Sequence, residues 1–224
     1  IPRFLRYLKI ERNCSELTIK SYREDLELLL EYLSDSLGKI PRPSAITPLE
    51  LRTYVSALHE AGYAKSSVSR RLASLRSFFK FAMREGLCKS NPAKPLRNPR
   101  RERKLPHFLT GAEIGKLLNA PPKRDPMGLR DRAILETLYS AGLRVGEVVA
   151  LELKHIDIDR RQLIIKNAKG RKDRNIILAE SFLPLFINYF NSYRPEHYFV
   201  EGANGKKYST ASIRQFLGRS CKLA

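Results

Sequence analysis

The first 88 residues carry apolar side chains at helical spacing, in segments that are separated by glycines. Three of these segments are long enough for helices and bring their apolar residues onto one face at steps of three and four. They begin near Ser15, Thr47 and Ser66, and each is followed by a glycine that suits a helix C-terminus: Gly38, Gly62 and Gly86. With a shorter helix at residues 2–12, the pattern predicts a helical domain over residues 1–88 with four helices.

Individual residues mark the ends and the buried face of these helices. Thr47, Pro48 and Glu50 combine an N-cap, a proline at the first helical position and a capping-box acid. The last of the three long segments is expected to bury five apolar side chains at helical spacing: Val68, Leu72, Leu75, Phe79 and Met83.

Composition changes over residues 89–108, where prolines occur at positions 92, 95, 99 and 106. Repeated proline prevents a helix and favours an extended chain, so this stretch is predicted to be an interdomain linker. It also carries a cluster of basic residues that includes Arg100, Arg101 and Arg103. The cluster is either simply solvated or follows the phosphates of a nucleic acid.

Residues 109–224 are predicted to form a second domain of mixed structure. Helical spacing continues through "GLRDRAILETLYSAG", and a period of two then appears in three short apolar pairs: Ile156/Ile158, Leu163/Ile165 and Ile176/Leu178. Helices return at about 181–193 and 209–222. The fold class expected for the whole chain is therefore mainly α with a small antiparallel β-sheet.

The net charge of +19 and the sequence pI of about 10.1 indicate a polyanionic partner, and nucleic acid fits better than a membrane surface. No apolar run reaches the roughly 18 residues of a membrane span, and the first residues do not resemble a signal peptide. We therefore expect a cytoplasmic protein. Three scattered cysteines and four histidines without zinc-type spacing predict neither a disulfide framework nor a metal site.

A basic stripe follows the helix predicted at residues 66–85. Arg76, Lys80 and Arg84 are four residues apart, and Arg70 and Arg71 precede them. Like charges at this spacing cost stability unless something compensates them, and the stripe lacks acidic residues of its own. DNA contact is therefore favoured over a merely solvated face.

A second basic cluster lies in "IIKNAKGRKDRNIIL", where Lys169, Arg171, Lys172 and Arg174 surround a turn at Gly170. Glycine permits the positive φ that a tight hairpin turn requires. A cationic hairpin tip can bring a lysine to a phosphate, and a solvated turn is the alternative.

The stretch "LYSAGLRVGEVVALEL" places Arg144 and Glu147 among apolar residues, just after a break at Gly142. An arginine held between packed helices offers a planar fork of donors to phosphate oxygens, and Glu147 can fix its geometry. The other interpretation is a structural ion pair at a helix junction. Spacing alone leaves both open.

This stretch resembles the first conserved box of the tyrosine recombinase and integrase family. The preceding "GLRDRAILETLYSAG" and the following "IIKNAKGRKDRNIIL" match the family in the same order, and the N-terminal helices resemble the core-binding domain of its Xer branch. The resemblance covers nearly the whole chain. It implies a helical core-binding domain, a linker and an α+β catalytic domain that form a clamp around DNA.

The resemblance also implies roles for single residues. Arg144 matches the first catalytic arginine, which neutralises charge on the scissile phosphate. Lys169 matches the hairpin lysine that protonates the departing 5′ oxygen, with Lys172 as the alternative. Glu147 matches the supporting acidic position. DNA contacts are expected from the other basic residues: Arg70, Arg71, Arg76, Lys80, Arg84, Arg100, Arg101, Arg103, Arg171 and Arg174.

The sequence departs from the family at its end. No His-x-x-Arg box occurs, and none of the ten tyrosines lies where the family has its nucleophile. "YSTASIRQFLGRSCKLA" resembles the helix that precedes that box. We therefore expect an incomplete catalytic domain in a chain that binds DNA without cutting it.

For the full-length protein, the resemblance implies DNA breakage and rejoining through a 3′-phosphotyrosyl intermediate, without metal or other cofactor. A Xer-like role such as chromosome dimer resolution would involve paired inverted half-sites and a tetrameric synapse with itself or a paralogous recombinase. A DNA translocase is a further expected partner. The alternatives are a mobile-element integrase or type IB topoisomerase-like enzyme of the same fold, and a non-catalytic DNA-binding or architectural protein.

Overall fold

The computed structural model describes residues 1–100, 105, 108–166, 173–202 and 205–224. The chain divides into two compact units, Ile1–Leu105 and Pro106–Ala224, and each has a hydrophobic core of its own. Helices dominate both units, and a small antiparallel sheet lies in the second. The predicted fold class is therefore confirmed.

The N-terminal unit contains the predicted helices: α1 (Pro2–Ile10), α2 (Glu16–Leu37), α3 (Pro48–Glu60) and α4 (Lys65–Arg84). Thr47 and Glu50 form the expected capping box, with the Thr47 backbone N–H donating to the Glu50 carboxylate at 2.6 Å. Gly38 ends α2 with a φ of +67°, a conformation that glycine adopts without strain. Local sequence signals thus set the ends of these helices.

The core of this unit forms where the apolar faces of the four helices meet. Leu33, Leu51, Leu75 and Phe79 are fully buried there. The expectation that Met83 joins them was wrong, because 43% of this residue is exposed. The buried row of α4 steps from Phe79 to Ala82, three residues later, and leaves position 83 at the edge.

The first part of the predicted linker packs onto α4. Ala93 is fully buried and Leu96 nearly so. The Asn91 side-chain amide donates to the backbone carbonyl of Arg76 at 3.0 Å, and its oxygen accepts from the Ala93 backbone N–H at 3.0 Å. The compact N-terminal unit of the structure therefore includes part of the predicted linker.

The C-terminal unit has five α-helices in its described residues: α5 (Gly111–Asn119), α6 (Pro126–Ser140), α7 (Val145–Ala150), α8 (Leu183–Tyr193) and α9 (Thr210–Leu223). Helix α6 packs along α8. Ala133, Ile134, Phe186 and Ile213 are fully buried in the core between these helices.

Three short strands form the sheet in the order β1-β2-β3, all antiparallel: β1 (Ile156–Asp157), β2 (Gln162–Ile165) and β3 (Arg174–Ile177). Leu163 and Ile165 of β2 point into the core and are buried. Ile165 pairs with Arg174, so the ladder anchors the backbone of Arg174.

Other features of the described residues bear on the functional class. No helix in the described ranges combines the length and the apolar character that a membrane crossing requires. The three cysteines are free thiols. Within the same ranges, no three His, Cys, Asp or Glu residues come together as a possible metal site.

Candidate active site

The candidate site lies at the junction between α6 and α7. Helix α6 ends at Ser140, and Gly142 then takes a φ of +59°, as the break in the sequence predicted. Arg144 is the N-cap of α7, in extended conformation. Leu143 and Val148, both buried, fix the junction in the core. The backbone of Arg144 is therefore set by packing on both sides of it.

Glu147 is the centre of the site, with only 9% of its side chain exposed. Its Oε1 accepts from Nη1 of Arg144 and from Nη1 of Arg174, both at 2.9 Å. Its Oε2 accepts from the Arg144 backbone N–H and from Nη2 of Arg174, both at 2.8 Å. Four donors thus satisfy the carboxylate, and one of them caps the first turn of α7.

These contacts favour the ionised form of Glu147. The hydrogen bonds from Arg174, followed by those from Arg144, lower the pKa of the carboxyl to about 2, against the effect of its burial. The same pairing raises the pKa of the Arg174 guanidinium. All three side chains are charged at neutral pH, and the cluster keeps an excess of one positive charge.

Arg144 itself is much more open than the sequence suggested. Its side chain is 60% exposed, so it is not held between packed helices as expected. A single side-chain bond, from Nη1 to Glu147, orients it, and its Nε and Nη2 have no partner in the described part of the chain. The ion pair of the second interpretation is therefore present, and the contact with a phosphate stays a prediction. Arg144 forms an ion pair and still presents donors that suit phosphate oxygens.

Strand β3, which pairs antiparallel with β2, brings Arg174 to this site. Lys166 and Asp173, the described residues next to 167–172, form an ion pair at 2.9 Å. Lys169, Arg171 and Lys172 lie outside the described residues, and their roles stay predictions. Arg174 was expected only as a DNA contact, which stays a prediction. Its guanidinium also pairs with Glu147, and its side chain is 34% exposed.

One residue of the basic stripe of α4, Arg84, has its charge compensated by acidic side chains, contrary to expectation. Arg84 forms a bidentate pair with Glu11, at 2.7 and 3.1 Å, and also contacts Glu85 at 3.2 Å. Its guanidinium lies 4.4 Å from the centre of the Tyr7 ring. Spacing within one helix could not reveal the acid at the end of α1.

Arg76, in the middle of the same stripe, is used by the chain itself. Its guanidinium donates to the backbone carbonyls of Ala93 and Leu96 at 3.3 and 2.6 Å, and to the Asn98 side chain at 3.1 Å. These bonds hold the segment that leaves the helical unit. Arg76 therefore has a structural role whether or not it also contacts DNA.

The remaining predicted DNA contacts of the N-terminal unit differ in their exposure and in whether an acidic side chain already pairs with them. Lys80 is exposed and has no partner among the described residues. Arg70 pairs at 2.5 Å with the buried carboxylate of Asp25, and Arg71 approaches that carboxylate at 3.8 Å. Arg100 is exposed, whereas Arg101 and Arg103 lie outside the described residues. Lys80 and Arg100 therefore present the most available charges.

Comparison with known protein families shows to which family the chain belongs. Residues 1–86 match the phage integrase N-terminal SAM-like domain, and residues 107–224 match the phage integrase family. A tyrosine recombinase XerC of Yersinia pestis is 35% identical over 219 residues, which cover 96% of this chain and 71% of that protein. The chain belongs to the tyrosine recombinase family. The resemblance inferred from the Arg144 box is thereby confirmed.

Other tyrosine recombinases set the extent of the similarity. The XerC of Pelotomaculum thermopropionicum is 36% identical over 198 residues, which cover 87% of this chain and 64% of that protein. The chain thus spans about two thirds of the length of such relatives.

A solved structure shares the fold: the crystal structure of a lambda integrase(75-356) dimer bound to a COC′ core site. Its TM-score is 0.76 at 18% identity, and the match covers 100% of this chain and 81% of that chain.

Proposed function

We propose that the protein is the greater part of a Xer-like site-specific recombinase that cuts and rejoins duplex DNA through a 3′-phosphotyrosyl intermediate. The observation that carries this proposal is the exposed guanidinium of Arg144. This residue is the arginine of the family box and the N-cap of α7. It lies beside a carboxylate that another arginine already neutralises. Such a cation is available to a phosphate.

The distribution of charge supports a DNA substrate. Residues 65–105 contain thirteen lysines and arginines and two acidic residues, whereas residues 1–64 contain nine of each. The excess charge of the helical unit is therefore confined to α4 and the segment after it. The lambda integrase that shares the fold was solved on its DNA core site. We infer that the basic side of α4 faces the duplex.

Among the basic residues, we assign DNA contacts first to those whose charge is free. Lys80 and Arg100 have no partner within the described ranges and meet this condition, whereas Arg70 and Arg71 share one buried carboxylate between them. Arg101, Arg103 and Arg171 remain predicted phosphate contacts outside the described residues. In this proposal, residues 1–88 are the core-binding domain, 89–108 the linker and 109–224 the part of the catalytic domain present here.

The chemistry requires charge stabilisation and two proton transfers at the scissile phosphate. A tyrosine oxygen forms a bond to phosphorus as the bond to the 5′ oxygen breaks, and the tyrosine proton passes to a general base. Arg144 binds the non-bridging oxygens, on which negative charge grows. Lys169, or in the alternative alignment Lys172, gives the leaving 5′ oxygen its proton. The nucleophile belongs to the family's C-terminal boxes, which this chain does not contain.

The partners follow from the same proposal. The substrate would be a duplex with paired inverted half-sites, and two pairs of subunits, identical or from a paralogous recombinase, would form a tetrameric synapse. A DNA translocase would control the reaction during chromosome dimer resolution in the cytoplasm. A mobile-element integrase would differ in its target rather than in its chemistry.

A nicked suicide substrate tests the proposal directly, with a protein that also carries the C-terminal boxes. The wild type should accumulate a covalent complex on paired inverted half-sites and should not relax an arbitrary supercoiled plasmid. Lys169→Ala should cleave slowly, and a 5′-thio leaving group, which needs no protonation, should restore much of its rate. Lys172→Ala should show no such rescue. Failure of the wild type to form any covalent complex would overturn the proposal.

A further inference from the structure

One carboxylate receives two arginines at the candidate site, and the two contacts differ in geometry. Arg174 donates to both oxygens of Glu147, Nη1 to Oε1 at 2.9 Å and Nη2 to Oε2 at 2.8 Å. The Arg144 side chain donates only to Oε1, also at 2.9 Å. Parallel bidentate pairing is the stronger arrangement. Arg174 is therefore the principal counter-ion of Glu147.

The surroundings of this pair make it a fixed part of the structure. Glu147 belongs to α7, which is anchored by the buried Val148 and Val149. Arg174 begins β3, where it pairs with the buried Ile165 of β2. Both partners therefore extend from packed backbone, and little conformational entropy opposes their contact.

We propose that Arg174 is a positioning residue for Arg144: by neutralising Glu147, it keeps the Arg144 guanidinium available to the scissile phosphate. Without Arg174, the Glu147 carboxylate would face Arg144 alone. The two groups would then form a closed ion pair, and a phosphate would have to compete with a carboxylate for the same donors. This inference rests on the proposed function, because the phosphate at Arg144 is part of it.

The depressed pKa of Glu147, about 2, supports this assignment. The carboxylate stays ionised throughout the neutral range, so protonation cannot release Arg144 from it. A second cation is then the means by which the structure balances the charge. The alternative is that Arg174 only tethers the hairpin strand to α7, and the two roles predict opposite results when Glu147 also loses its charge.

Single-turnover cleavage of the suicide substrate separates these roles, in the protein that carries the C-terminal boxes. Arg174→Ala should slow formation of the covalent complex by about tenfold to a hundredfold, less than the loss of Arg144 itself. Adding Glu147→Gln should recover a substantial part of this rate, because the amide oxygen still caps α7 while the competing charge is gone. A purely structural tether predicts that the double variant is as slow as Arg174→Ala or slower.

Matched variants control for folding. Arg161, which precedes β2 and pairs with Glu180 at 3.4 Å, should tolerate alanine without a change in cleavage rate. Arg174→Lys keeps the charge and should retain more of the rate than Arg174→Gln, which keeps polarity alone. Equal rates for these two variants would overturn the inference even if the alanine variant does not fold. If the wild type forms no covalent complex, the proposed function itself is contradicted. If the wild type is active but the double variant does not recover, only the role of Arg174 is refuted.

Discussion

Two clusters of arginines and glutamates, one in each unit, differ in their charge balance. In the helical unit, Arg3 and Arg84 contact Glu11 and Glu85, so two positive charges meet two negative ones. In the catalytic unit, two arginines share the single carboxylate of Glu147. The first cluster is neutral, and the second keeps one excess positive charge.

This difference decides which arginines we expect to contact DNA. Arg84 and Arg144 are both substantially exposed, at 46% and 60% of their side chains. Arg84, however, has its charge met by two carboxylates and its guanidinium lies over an aromatic ring. Exposure together with an unmatched charge is the better criterion for a phosphate contact.

The largest effect is expected from conservative changes in the two clusters. Arg144→Lys keeps the charge but loses the planar fork, and removal of a comparable preorganised donor costs about 10² to 10³ in rate. Arg84→Lys should leave the rate of covalent complex formation nearly unchanged. DNA affinity measured in parallel should hardly change for either variant. If both variants form the covalent complex at the same rate, the two clusters do not differ in their role in cleavage.

The next largest difference is expected in the free energy of unfolding, when Glu147 and Glu11 are each replaced by alanine. Glu147→Ala leaves the half-buried Arg174 without its partner and should destabilise the catalytic unit by about 1–3 kcal/mol. Glu11→Ala removes an exposed pair, which water and salt screen, and should cost the helical unit less. Denaturant unfolding of the wild type and both variants measures these differences, provided that the transitions of the two units are resolved. A larger loss from Glu11→Ala would contradict the ranking.

Lowering the pH should reduce stability through the same Glu147 carboxylate. The folded-state pKa of Glu147, about 2, lies below its ordinary value of 4.5, so its stabilising effect is complete above pH 4.5 and disappears as the pH falls toward 2. Glu147→Gln should therefore flatten this part of the stability curve of the catalytic unit. Identical curves for the wild type and the variant would show that the carboxylate is not held in its ionised form.

The smallest effect is expected on the salt dependence of DNA binding. Lys80→Ala should reduce the slope of log K against log salt by about 0.9, the value for one lost phosphate contact on duplex DNA. Arg76→Ala should change this slope less and should instead expose the segment after α4 to cleavage at Arg97 by trypsin. The same slope change in both variants, without new proteolysis, would assign Arg76 to DNA as well.

Local signals predicted much of the fold. The capping box at Thr47 and Glu50 and the break at Gly142 depend on neighbours within a few residues, and both occur as expected. The sheet followed from the period of two, which persists through β2 and β3. Such features are visible in one sequence because the interacting groups are close along the chain.

The charge balance of the site could not be predicted in this way. Arg174 lies 27 residues from Glu147, and Arg84 lies 73 residues from Glu11, so no helical spacing connects them. The packing of Ala93 on α4 was hidden for a similar reason, since a proline-rich stretch reads as extended whether it is free or docked. These contacts depend on tertiary structure, which decides which arginines have a free charge.

Arginine modification with phenylglyoxal, followed by mass spectrometry, tests the central claim most directly on this 224-residue chain. The free chain and its complex with a duplex half-site selected for binding would be compared. DNA should protect Arg144 strongly and leave the reactivity of Arg84 unchanged, because two carboxylates contact Arg84, whereas Arg144 shares its single carboxylate with Arg174. Equal protection of both residues, or none at Arg144, would contradict the account.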